Sequence, residues 1–151
     1  VGRVDAIHIL AKAGGTQSAG ALEQTLVELA TVVSDPTPKL ILADELEAIT
    51  EPGAGARIIA GMLLAARAQK NTSMMLVTHL APAIIEASGV DDFRVDGIEA
   101  RGLDADLELI VDRTPIRNHL ARSTPELIVK RLVERSEGHA KSLFDDILRM
   151  F

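Results

Sequence analysis

The first 90 residues alternate between short, nearly continuous apolar runs and longer stretches in which apolar residues recur every three or four positions. Such runs are typical of buried strands, and the longer spacing is typical of helices that pack on one face. The predicted strands are residues 4–10, 39–43 and 73–79, and the predicted helices are residues 18–33, 56–69 and 82–88. This alternation favours an α/β fold with a mostly parallel sheet flanked by helices.

The pattern changes in the last third of the chain. Residues 93–100 and 106–113 alternate apolar with polar positions around the sequence RGLDA, which predicts an antiparallel hairpin. Two helices are predicted after it, at 124–136 and at about 139–150. Ser123 and Glu126 stand three residues apart before the first of them, as in a capping box.

Composition narrows the range of partners. The chain has 151 residues, no cysteine, three aromatic residues and a formal charge of −6. This charge has the wrong sign for general nucleic-acid binding, and three phenylalanines do not make a platform for stacking bases. No apolar run is long enough to cross a membrane and no signal-peptide pattern is present, so we expect a cytoplasmic chain without membrane contact.

Two adjacent carboxylates follow the second predicted strand, in the sequence LILADE. Asp44 and Glu45 end an apolar run, where uncompensated charge is costly to desolvate. His79 ends the next predicted strand, and the carboxyl ends of parallel strands form the ligand-binding edge of such sheets. Asp44 is suited to hold Mg²⁺, Glu45 to polarise a water, and His79 to bond a phosphate or that water. Taken singly, a loop-capping aspartate and a structural histidine are the alternatives.

A glycine-containing loop precedes the first predicted helix. Gly14 and Gly15 leave the backbone free to turn, and Ser18 stands where the helix begins. The amides and hydroxyl of a helix start can bind an anion, although an ordinary N-cap serine has the same pattern. None of the five lysines follows a glycine-rich loop of the form GxxxxGK[ST], so these residues contain no phosphate-binding loop of that kind.

Together, these pieces resemble the ATPase domain of MutS-type DNA mismatch-repair proteins, which are ABC-class P-loop ATPases. The resemblance rests on Ser18, LILADE, Thr50, Gly55 and LVTH at 76–79, and it extends to about residue 137. It implies the C-terminal half of such a domain: a mostly parallel sheet flanked by helices, then a β-hairpin and C-terminal helices. Residues 1–122 would form this half-domain, and residues 123–151 would form a dimerisation segment.

The resemblance also implies roles for individual residues. Asp44 is similar to the metal-binding acid, Glu45 to the catalytic acid and His79 to the histidine that contacts the γ-phosphate. Ser18 is similar to the signature serine that reaches ATP held by the other subunit, and the nucleotide-binding set would add three neighbours of these motifs: Gly15, Gln17 and Thr50. ATP and Mg²⁺ are therefore the expected cofactors.

The expected partners are a second ATPase domain in a homodimer, and DNA bound through domains upstream of Val1. The sequence departs from the family where EAIT follows the acids in place of GRGT, and where Ala54 stands at the family's loop acid. Two alternatives remain open: half of an SMC/Rad50-like ABC ATPase, and a non-catalytic dimerisation module.

Overall fold

The protein is described by a computed structural model covering residues 2–11, 19–46 and 50–151. The chain divides into two compact units, one ending at Phe93 and the other running from Arg94 to Phe151. This division lies ahead of the hairpin, whereas the sequence interpretation divided the chain at 122/123 according to function.

The first unit is a parallel sheet with helical crossovers, as predicted. Its strands are ordered β1-β2-β3 and both neighbouring pairs are parallel. In chain order its elements are β1 (Ala6–Ala11), α1 (Ala19–Ser34), β2 (Lys39–Asp44), α2 (Pro52–Arg67), β3 (Thr72–Val77) and α3 (Ala81–Ser88). Helix α2 begins four residues before the predicted start at residue 56, because Pro52 occupies its first turn, where a missing N–H costs nothing.

The hydrophobic core lies on one face of this sheet. Leu10, Ile41 and Ala43 point from the strands into a cluster with Leu29 of α1 and Ile59 of α2. Both crossovers step in the same direction across the sheet, so a common right-handed connection places both helices on the same side.

The opposite face of the sheet is only partly covered by the described residues. Along β1 and β3 the side chains alternate between covered and exposed, and large apolar residues are among the exposed ones. The continuous apolar run at 39–43 predicts a strand covered on both faces. Among the described residues this prediction is wrong, because Leu40 and Leu42 are only half-buried. Its physical basis was sound, because the apolar residues are present on both faces, but the described residues supply a core on only one.

The start of β2 is fixed by a short polar turn after α1. The ammonium group of Lys39 is buried and donates to the backbone carbonyl of Asp35. The amide of Thr37 donates to the carboxylate of Asp35 at 2.9 Å, and these contacts with Thr37 lower the pKa of Asp35. The turn thereby satisfies polar groups between the end of α1 and the start of β2.

The second unit contains a two-stranded antiparallel hairpin and two helices. Its elements are β4 (Ala100–Leu103), β5 (Leu109–Val111), α4 (Pro125–Arg135) and α5 (Gly138–Leu148). The hairpin is confirmed, but β4 occupies much of the predicted turn. Residues 93–99 form no named strand, and Gly97 pairs with Ile116 as an isolated bridge. The turn lies later because the Asp104 carboxylate accepts the amides of Asp106 and Glu108, each at 2.9 Å.

The predicted capping box before α4 is not formed. Thr124 is the N-cap and its side chain makes no capping hydrogen bond. Glu126 instead accepts a hydrogen bond from the guanidinium of Arg122 at 3.3 Å. None of the described helices has the length and apolar character needed to cross a bilayer.

Candidate functional site

The acid pair lies at the carboxyl edge of the parallel sheet. Asp44 is the last residue of β2, in register with Ala11 of β1 and Val77 of β3. Asp44 and Glu45 are both exposed, so neither carboxylate pays the full cost of burial. A parallel strand ending in accessible carboxylates is suited to bind a cation or a polar ligand at that edge.

The backbone of Glu45 has an uncommon conformation. Its φ is 46°, in the left-handed region that residues with a side chain rarely occupy. The Glu45 amide donates to the carbonyl of Val77 at 2.9 Å, extending the pairing of β2 and β3 by one residue. This bond ties the second acid to the end of the strand that leads to His79.

His79 follows β3 by two residues and is exposed at the same edge as the acid pair. The turn that carries it is closed by the amide of Leu80, which donates to the hydroxyl of Thr78 at 2.9 Å. Helix α3 begins directly afterwards, at Ala81. Thr78 was not singled out from the sequence, although a threonine within a strand-to-helix turn is a recognisable signal for such a bond.

The remaining predicted site residues are described only in part. Thr50 is half-buried and precedes Glu51, the N-cap of α2. The amide of Gly55 donates to the carbonyl of Glu51 at 2.8 Å, which closes the first turn of α2. Gly15, Gln17 and Ser18 lie outside the described residues.

The carboxylates at this edge are suited to a magnesium ion that keeps most of its bound water molecules. Across the described ranges, no group of three or more histidine, aspartate and glutamate side chains is gathered as a metal cluster. Mg²⁺ does not require such a cage, because it commonly takes one or two carboxylates and fills its other positions with water and phosphate oxygens. Asp44 is accessible for this role, and Glu45 is an adjacent second carboxylate.

Comparison with known proteins shows that this chain is similar to MutS2. No family model matches the sequence. The chain is 42% identical over 148 residues, 98% of its length, to the DNA-binding protein MutS2 of Pyrococcus furiosus. That alignment spans 26% of the relative, so the chain corresponds to about a quarter of the length of the curated protein it matches. The likeness supports a relationship to MutS2.

Proposed function

We propose that this chain is part of a MutS-like ATPase, in which ATP is hydrolysed at a composite dimer interface and hydrolysis is coupled to DNA binding. The observation that carries the proposal is the shared sheet edge. Asp44 and Glu45 end β2, and the Glu45 amide is bonded to the strand that leads to His79. The similarity to a DNA-binding MutS2 protein supports the same interpretation and suggests the coupling to DNA.

The proposed chemistry is hydrolysis of the terminal phosphoanhydride bond of ATP. Asp44 holds Mg²⁺, which when bound neutralises charge on the phosphate oxygens. Glu45 accepts a hydrogen bond from the attacking water and orients it towards phosphorus. His79 donates a hydrogen bond to the γ-phosphate, so its imidazole stabilises the negative charge that develops there.

The nucleotide-binding residues complete the proposal across a dimer. Ser18, with Gly15 and Gln17 beside it, contacts the phosphate of ATP held by the other subunit, and Thr50 lies in the loop that crosses the interface. An exposed apolar stripe on α5, formed by Leu143 and Ile147, is suited to a helical dimer contact. Residues 123–151 are accordingly the proposed dimerisation segment.

The decisive experiment is the Glu45→Gln change in the polypeptide that supplies the phosphate-binding loop. Glutamine keeps the size of the side chain but cannot act as a base. We expect ATP binding to persist while hydrolysis falls by roughly 100-fold or more, the scale of a lost general base. A matched control is Glu86→Gln, which changes an exposed carboxylate on α3, outside the acid pair and the interface loop. Normal turnover in the Glu45→Gln variant would refute the assignment.

A non-catalytic interaction module is the competing function, and the exposed apolar surface of the chain favours it. The isolated 151 residues are expected to bind Mg-ATP poorly in either case, because no lysine follows a glycine-rich loop. Tight Mg-ATP binding to the isolated chain in calorimetry would contradict that expectation. The two functions predict different results for the longer polypeptide. An interaction module would hydrolyse no ATP, and it would bind its partner equally well before and after the Glu45→Gln change.

A further inference from the structure

A short turn joins β3 to α3, and His79 lies at its centre. Strand β3 ends at Val77 and α3 begins at Ala81, so residues 78–80 connect the two elements. The side chain of His79 is exposed, whereas Thr78 and Leu80 on either side of it are half-buried. The direction in which the imidazole leaves the sheet edge therefore depends on how the backbone of this turn is held.

Hydrogen bonds fix the backbone on both sides of the turn. On the strand side, the carbonyl of Val77 accepts the amide of Glu45 at 2.9 Å. On the helix side, the carbonyl of Leu80 accepts the amide of Ile84 at 3.0 Å, and Ile84 is buried in the core. Leu80 also packs against that core. His79 thus lies between two anchored segments of backbone.

The hydroxyl of Thr78 closes the turn between these two segments. It accepts the amide of Leu80 at 2.9 Å, two residues further along the chain, as threonine hydroxyls do when they replace a backbone carbonyl in a turn. Leu80 has φ −104° and ψ 18°, close to the values at which tight turns end. The ring closed by this bond contains the backbone of His79, so the bond restricts both backbone torsions of His79.

We propose that Thr78 is a positioning residue, whose hydroxyl sets the orientation of the His79 imidazole at the sheet edge so that it faces the γ-phosphate. This inference rests on the proposed function, in which His79 donates to that phosphate. A donor stabilises a transition state only when it is aimed at the place where charge develops. An exposed side chain has few packing contacts to aim it, so the backbone that carries it must be held instead.

The kinetic test uses the polypeptide that supplies the phosphate-binding loop. Thr78→Val removes the hydroxyl and keeps the branched shape, Thr78→Ser keeps the hydroxyl, and His79→Ala removes the imidazole. The control is Thr31→Val, because Thr31 is an exposed threonine of α1 whose hydroxyl donates to the carbonyl of Val27 at 3.0 Å. Both kcat and KM for ATP are measured for each variant and for Thr78→Val combined with His79→Ala, and circular dichroism checks folding.

We expect Thr78→Val to lower kcat roughly tenfold with little change in KM, because a misdirected group slows the reaction and leaves ATP binding intact. Thr78→Ser and Thr31→Val should keep kcat within about twofold of the wild type, and Thr78→Val should have no further effect once His79 is replaced by alanine. A merely structural role for Thr78 would give the same loss with and without the imidazole, which overturns the inference. A loss that serine does not rescue, or no loss where His79→Ala lowers kcat, overturns it as well.

A measurement without ATP separates this inference from the proposed function. Imidazole signals of the 151-residue chain are recorded by ¹H–¹³C NMR, and the His79 signal is assigned by its loss in His79→Ala. Thr78→Val should shift or broaden that signal, whereas Thr78→Ser and Thr31→Val should leave it in place. An unchanged His79 signal in Thr78→Val overturns the inference. A changed signal, together with equal ATP hydrolysis by the wild type and His79→Ala, supports the orienting role of Thr78 and contradicts the proposed function.

Discussion

The left-handed backbone of Glu45 predicts that a residue with a side chain lowers the stability of the chain at this position. A residue with a side chain pays about 1–2 kcal/mol in the left-handed region, and glycine does not. Glycine gives back about 0.5–1 kcal/mol through its larger freedom in the unfolded chain. Because Glu45 is exposed, removal of its side chain loses little packing. We therefore expect Glu45→Gly to stabilise the chain by roughly 0.5–1 kcal/mol, while Glu45→Ala keeps the strained backbone and gains nothing.

The assay is urea unfolding followed by far-UV circular dichroism on the three variants Glu45→Gly, Glu45→Ala and Glu45→Gln. The glutamine variant isolates the effect of charge and is expected to unfold near the wild-type midpoint. Equal stability of the glycine and alanine variants would show that φ at this position is not left-handed in solution, which would contradict the prediction. In the longer polypeptide the glycine variant should be the more stable protein and hydrolyse no ATP, as expected where backbone strain accompanies function.

Three further predictions concern packing, metal binding and pH. Gly97→Ala should destabilise the second unit by about 2 kcal/mol in thermal unfolding, because a Cβ there would lie 2.6 Å from the carbonyl oxygen of His119. As the control, Gly61→Ala should stabilise α2, because a Cβ at Gly61 would have nothing within 4 Å. Asp44→Asn in the longer polypeptide should raise the Mg²⁺ concentration needed for half-maximal ATP hydrolysis, and an unchanged requirement would contradict its role. The guanidinium of Arg67 lowers the pKa of Asp92, so stability should fall as pH drops below about 4 in acid titrations monitored by circular dichroism, and less so in Asp92→Asn.

The order of elements could be predicted from the sequence because each element follows from local chemistry. The runs ending at Asp44 and His79 are short and rich in aliphatic residues, and the stretch between them has helical spacing. The ends of elements were harder, since they depend on single side-chain bonds. The hairpin turn follows the Asp104 carboxylate, and no alternation of apolar and polar residues reveals which aspartate closes a turn.

The candidate site could be predicted only as a set of residues at one edge. Spacing brought Asp44, Glu45 and His79 to the ends of neighbouring strands, because parallel strands in register align their carboxyl ends. The left-handed backbone of Glu45 and its bond to Val77 were not predictable, since glutamate has no preference for that conformation. Their cause is tertiary: the carbonyl that ends β3 accepts the amide that follows β2.

The same physical reasoning links the wrong prediction about burial to the proposed site. A continuous apolar run predicts a strand covered on both sides. In β2, Ile41 and Ala43 lie in the core on one side, while Leu40 and Leu42 on the other side are only half-buried. The sequence therefore retains the surface chemistry of a complete sheet although the described residues cover half of it. Side chains alternate along a strand, so Asp44 lies on the same incompletely covered side of β2 as Leu40 and Leu42, and the proposed metal-binding carboxylate continues that apolar surface at the sheet edge.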